Sequence, residues 1–268
     1  MMDELRTIST ARGGISYREA GDGEPLVLLH GIGSGSASWS AQLGSLSDRF
    51  RVIAWDAPGY GESDALEPEE PAALDYAETL AVFLDALGID SARIVGHSLG
   101  ALMACAFARR WRERAAGLML ADPAAGYGRT DPAVRAEKKT ARLGLLDRLG
   151  PEGMARERSA ALLSENASSE ARERVRAVMA RIRPDGYRQA VAMLFRADIH
   201  EDARRIDFPV LVVCGGADTV TPPDGCRKVA ESFPDGRFAV LPGLGHACYV
   251  ESPAAFEAAL VGHFGADG

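Results

Sequence analysis

The chain has 268 residues, 47% of them hydrophobic and 25% charged, a balance that excludes a disordered tail or a fibrous repeat and fits one globular unit with a sizeable core. Thirty Lys and Arg against 38 Asp and Glu leave a formal net charge of −8, which gives no electrostatic reason to expect nucleic acid or an anionic membrane as a partner. No run reaches transmembrane length, MMDELRTIST opens with acids rather than a signal-peptide core, and Cys105, Cys214, Cys226 and Cys248 show no C-x-x-C pairing, so free thiols and a cytoplasmic location are expected.

Short strands are predicted at Arg6 to Thr10 and Gly14 to Glu19, and then Pro25 to His30 and Arg51 to Asp56 are continuous apolar runs of the kind buried on both faces of a sheet. Ala72 to Leu87 has helical spacing and stops at Gly88. Ala92 to Gly96 is the next strand, Leu99 to Arg110 the next helix and Gly117 to Ala121 one more strand. Strands alternating with helices predict a parallel sheet wound by right-handed crossovers. The rhythm breaks between Tyr127 and Ile206, where Val175, Val178, Met179 and Ile182 repeat at helical spacing and Pro184-Asp185-Gly186 punctuates. Strand and helix resume at Phe208 to Cys214, Gly225 to Phe233, Arg237 to Leu241 and Pro253 to Phe264. The expected organisation is therefore a core of residues 1–126 and 207–268 interrupted by a helical lid, 127–206, over the carboxyl edge of the sheet.

Within Ile94-Val-Gly-His-Ser98-Leu-Gly-Ala101 a single serine stands between two glycines, after a strand and before a helix. A sharp turn there would expose Ser98 at the strand end, with glycine at 96 and 100 because no β-carbon fits, and the helix start would aim N–H groups at a developing oxyanion. A serine hydroxyl needs a base. Of the five histidines, His246 in Leu241-Pro-Gly-Leu-Gly-His246 follows a strand and can reach the sheet edge, whereas His200 lies in the charged lid, His263 inside a helix, and His97 is turned away by its place in the turn. Asp218, after Cys214-Gly-Gly, is the favoured carboxylate, and Asp122, also at a strand end, is the competitor although Asp122-Pro123 reads equally as a turn initiator. The loop His30-Gly-Ile-Gly-Ser-Gly35 offers the backbone N–H of Ile32 as a second oxyanion donor beside that of Leu99.

His30-Gly31, Asp56-Ala-Pro-Gly59-Tyr-Gly61-Glu-Ser63, Gly96-His-Ser98-Leu-Gly100, Gly216-Ala-Asp218 with Pro222-Pro223, and Gly245-His246 together resemble the α/β-hydrolase fold superfamily across nearly the whole chain. The resemblance implies a mostly parallel eight-stranded sheet flanked by helices, a helical cap inserted after the sixth strand, catalysis by Ser98, Asp218 and His246, and oxyanion donors at Ile32 and Leu99. A narrower likeness, over Pro184-Asp-Gly-Tyr187, Ala197-Asp198 and Thr221-Pro222-Pro223, is to 3-oxoadipate enol-lactonases and meta-cleavage-product C–C hydrolases. The latter usually carry tryptophan after the histidine, where this chain has Ala247.

These features predict a serine hydrolase for a small carboxylic ester or lactone, with C–C hydrolysis as the alternative. Its pocket is expected to draw on His30, Gly31, Val220 and Leu244 from the core and on Tyr127, Leu194, Phe195 and Arg196 from the lid, Arg196 as a partner for a substrate carboxylate. At helical spacing Tyr187, Met193, Leu194 and Phe195 read also as a face packed on the sheet. A dinucleotide-binding oxidoreductase is the rival of another class, since Gly31-Ile-Gly33-Ser-Gly35 follows a strand and Asp56 ends the next, but Ser36 stands where the third glycine belongs. No cofactor and no metal are expected; the partners are a small-molecule substrate and at most a second copy of the chain, as monomer or homodimer.

Overall fold

The structure is a computed structural model that describes residues 4–265. The strands are β1 (Arg6–Thr10), β2 (Gly13–Ala20), β3 (Glu24–Leu29), β4 (Phe50–Trp55), β5 (Ala92–His97), β6 (Ala115–Ala121), β7 (Val210–Gly215) and β8 (Gly236–Leu241). They form one sheet in the order β1-β2-β4-β3-β5-β6-β7-β8, antiparallel at β1–β2 and β2–β4 and parallel from β4 through β8.

Among the helices of the core are α1 (Ser40–Ser45), α2 (Ala73–Ala86) and α3 (Leu99–Arg110), with α8 (Pro223–Ala230), α9 (Cys248–Glu251) and α10 (Pro253–Phe264) near the C-terminus. The central strands have no polar face because both of their faces are covered. Val27 and Leu29 pack with Ile53, Ile94 and the residues of α2 and α3. Leu26 and Leu28 point the other way, to Trp39, Met119, Tyr249 and Phe256. The period of two along a strand thus divides one apolar run between two cores.

Between β6 and β7 the described chain is helical: α4 (Pro132–Arg158), α5 (Ser169–Met179), α6 (Pro184–Arg196) and α7 (Ile199–Ala203). Helix α4 is interrupted at Gly150, where φ is 61°, before Pro151. The stripe expected to run on through Ile182 ends earlier. Helix α5 stops at Met179, and Ile182 closes a turn onto Met179 O just before Pro184, whose ring disfavours a helical predecessor. Side chains tie the segment to the loop after β4: Gln189 Nε2 donates to Leu66 O (2.6 Å) and Pro68 O (2.8 Å), and an Arg183 Nη donates to Ser63 O (2.8 Å).

Candidate active site

The turn between β5 and α3 puts Ser98 at φ 50°, ψ −112°, a region that costs a non-glycine residue of order 1–3 kcal/mol and persists only where surroundings over-determine it. The surroundings are visible. Ser98 N donates to Ala121 O (2.9 Å), and Ser98 O accepts from Ala101 N and Ala124 N (both 3.1 Å). A β-carbon on residue 96 would lie 2.7 Å from Gly100 O, and one on residue 100 would lie 2.4 Å from Leu29 O. Glycine at both positions lets the elbow press against its own helix and the neighbouring strand. Leu99 opens α3, so its N–H has no partner within the helix.

His246 follows β8 and Asp218 follows β7. His246 Nδ1 lies 2.8 Å from Asp218 Oδ2, with both side chains almost wholly buried. The aspartate loop is wound around its own carboxylate: Oδ1 accepts from Val220 N (2.6 Å) and Thr221 N (3.1 Å), and Thr221 Oγ1 is 2.7 Å from Oδ2. Burial alone would push this carboxyl up, but the His246 contact and these donors outweigh it and hold Asp218 well below the usual carboxylate range. An ionised Asp218 accepts a hydrogen bond from His246 Nδ1–H, which leaves His246 Nε2 with the lone pair. Thr221 Oγ1 also stands 3.1 Å from His246 Nδ1; sequence reasoning missed it, although its place three residues after an aspartate that closes a turn was a signal. Among the described residues no hydrogen bond joins Ser98 Oγ to His246 Nε2, although both residues line one cavity.

His97 is not turned away as its sequence position suggested. Its Nε2–H donates to the carbonyl of His246 (2.9 Å), and its ring borders the same cavity as Ser98. Burial, reinforced by His246, pushes its pKa down to about 3, so it is a neutral brace. Asp122, the competing carboxylate, is fully buried at φ 45° and engaged elsewhere, accepting from Gly215 N (2.8 Å) and Cys248 Sγ–H (3.0 Å). Burial, then the nearby Asp218 and Cys214, pushes its carboxyl far up. Ligand atoms of Asp122, Asp218 and His246 all lie within 4.8 Å of one another, a proximity the sequence spacing did not reveal. Each of the three is already hydrogen-bonded within this network.

Ser98 and His246 open onto a cavity of about 560 Å³ beneath the helical segment. Gly31, Ile32, Leu99, Tyr127, Leu194 and Val220 lie on its wall as expected from sequence. Four expected lining residues are not there. His30 is fully buried with Nε2 accepting from Ala57 N (3.0 Å), Phe195 stacks behind Tyr127 with ring centroids 4.3 Å apart, Arg196 turns outward to Glu70 O (2.7 Å), and Leu244 lies in the His246 loop, its carbonyl accepting from Ala217 N (2.8 Å). Helical periodicity shows which residues share a face and cannot tell a cavity from a core. Thus Val175, Val178, Met179 and Ile182, as well as Tyr187, line the cavity, while Met193 is in the core. Asp56, the ribose-binding candidate of the oxidoreductase alternative, spends its carboxylate on Ser36 N (2.7 Å) and Ser16 Oγ (2.8 Å).

Residues 24–253 match the family model described as the alpha/beta hydrolase fold. The chain belongs to the α/β-hydrolase fold family. Within that family it is 30% identical over 247 residues to a protein of Caulobacter sp. (strain K31) named "Putative carbamate hydrolase RutD", covering 90% of this chain and 91% of that one. A 2-hydroxy-6-oxo-6-phenylhexa-2,4-dienoate hydrolase of Comamonas testosteroni is 39% identical over 113 residues, 41% of this chain and 40% of the relative. Among solved structures, a thermophilic esterase from Thermogutta terrifontis with malate bound superposes with a TM-score of 0.85 at 30% identity over 96% of this chain and 97% of that one. The names of these three proteins point to different substrates, a carbamate, a dienoate and an ester, so the fold by itself does not set the bond that is cleaved.

Proposed function

We propose that this hydrolase cleaves small carboxylic esters or lactones through an acyl-enzyme on Ser98. The observation that carries the reading is that Ser98, on its strained elbow, shares the wall of one cavity with His246, whose Nδ1 lies 2.8 Å from Asp218. In this reading Ser98 Oγ adds to the carbonyl carbon while its proton passes to His246 Nε2, and ionised Asp218 stabilises the imidazolium. The backbone N–H groups of Ile32 and Leu99 receive the oxyanion, the latter aided by the positive end of α3. The imidazolium then protonates the leaving oxygen, and water enters by the same base to release the acid. Residues 127–206 act as a cap: the turn before α4 supplies Tyr127, α5 supplies Val175 and Met179, and α6 supplies Tyr187 to the wall, and together they bound the acyl group in size.

The esterase from Thermogutta terrifontis, similar over nearly the full length, supports the ester reading. The similarity to a dienoate hydrolase keeps C–C cleavage as the second reading, and Ala247 in place of the tryptophan usual there weighs against it. The test is a panel of short p-nitrophenyl esters, an enol-lactone and a vinylogous 1,5-diketone, run with the parent and with Ser98→Ala. Short esters or lactones are expected to give the highest kcat/KM, with activity in Ser98→Ala down by several orders of magnitude, since only binding and the oxyanion donors remain. Fastest cleavage of the diketone, or near-parental turnover by Ser98→Ala, would refute the reading.

A further inference from the structure

The cavity wall carries charge of one sign. Arg142, Arg158 and Arg174 line it, and among the described residues no Asp or Glu does, in a chain whose formal net charge is −8. Arg174 is neutralised by Glu170 at 2.9 Å, and Arg158, at the end of α4, is exposed to solvent. Arg142, on α4, is different. Its Nε–H donates to the neutral Tyr187 hydroxyl (2.9 Å) and its guanidinium carbon lies 5.8 Å from the centroid of the Tyr187 ring. Asp147 on the same helix is taken by Arg188, and Glu70 by Lys139. The two Nη groups of Arg142 therefore have no acidic partner among the described residues, on a wall to which Leu145, Met154 and Ile182 also contribute.

We infer that the substrate is itself an anion, an ester or lactone whose acyl part ends in a carboxylate, and that Arg142, oriented by Tyr187, holds that carboxylate while the carbonyl meets Ser98. This rests on the ester or lactone reading above and adds the substrate's charge to it. A half-buried guanidinium without a counter-ion is costly, and an incoming carboxylate removes that cost while accepting a two-point, charge-assisted bond that matches the planar fork. Because Tyr187 fixes Nε, the fork is oriented before substrate arrives, which lowers the entropy lost on binding. A carboxylate on the acyl side keeps this anchor through acylation and deacylation alike. Arg196, expected from sequence to do this, faces the opposite way and bonds the Glu70 carbonyl.

The matched pair mono-p-nitrophenyl adipate and p-nitrophenyl hexanoate tests it, since the two six-carbon acyl groups differ in a terminal carboxylate against a methyl. In the parent the charged ester should be preferred in kcat/KM by about tenfold or more. In Arg142→Gln that ratio should fall at least tenfold, mainly through KM, and Arg142→Lys should restore part of it; a purely structural role for Arg142 would change both esters alike. An unchanged ratio in Arg142→Gln overturns the inference. If neither ester turns over, the ester reading fails on its own, and calorimetry still decides the charge: adipate binding by the parent that is weakened in Arg142→Gln supports the assignment, whereas equal binding or none in the parent overturns it.

Discussion

Asp122 and Asp218 lie within reach of one histidine and sit in opposite electrostatic settings. Asp218 is surrounded by donors and held low, while Asp122 is enclosed by burial and by neighbouring acids and held high. Asp218→Asn is therefore expected to lower kcat by about three to four orders of magnitude, because an amide favours the wrong imidazole tautomer. Asp122→Asn should lower it less than tenfold, since the amide oxygen can still accept from Gly215 N and asparagine tolerates the positive φ. Steady-state kinetics of the two variants, giving the reverse order, would move the acid to the earlier strand. Their effects on stability should differ in sign of slope as well. A carboxyl with a raised folded pKa destabilises the fold progressively as pH rises from its unfolded value of about 4. Asp122→Asn should thus remove a decline in urea midpoint above that pH. Asp218, with its lowered folded pKa, contributes stability above the same unfolded value and loses it as pH falls below, so Asp218→Asn should flatten the acid side of the curve.

At the scale of elements, the helical segment meets the core at one very close crossing. The first turn of α6 touches the loop after β4 so tightly that a β-carbon on Gly186 would lie 2.0 Å from Gly59 O, and Gly59 itself has φ 83°. Backbone cannot move aside as a flexible side chain can. Gly186→Ala is expected to cost about 2 kcal/mol or more and to lift α6, the helix that carries Tyr187 and Leu194. Its signature would be a lowered Tm with a raised KM and a smaller change in kcat, read by thermal unfolding and ester kinetics; unaltered Tm would show that the crossing can relax. The central strands were legible in sequence to within a residue or two because continuous apolar runs are a strong signal. The helix boundary around Ile182 was not, because a local turn ended a helix whose apolar spacing ran on.

Over the whole molecule, the sheet order brings the ends of β3, β5, β7 and β8 to one edge, which is how residues from four distant parts of the chain share a cavity. That edge is stiff because the strands beneath it are packed on both faces. Leu120, in β6 beside the elbow strand, has no exposed surface. Leu120→Ala should cost about 2–5 kcal/mol in urea unfolding through lost burial and the cavity left behind. A cost under about 1 kcal/mol would show that the core collapses freely around it.

Ser98, Asp218 and His246 could be singled out as candidates because the chemistry proposed for them requires a particular residue type after each strand, in a fixed chain order, with glycines wherever the backbone leaves no room. The helical segment between β6 and β7 was visible as a gap in the strand rhythm. The sequence could not say which faces of its helices look into a cavity and which into a core, because both are apolar at the same spacing; hence Phe195 fell behind Tyr127 while Met179 came to the wall. Nor could it rank the arginines. Whether a guanidinium is neutralised depends on which acid the folded chain brings beside it, and only tertiary structure turned Arg196 outward, paired Arg174 with Glu170, and left Arg142 facing the cavity with a neutral tyrosine for company.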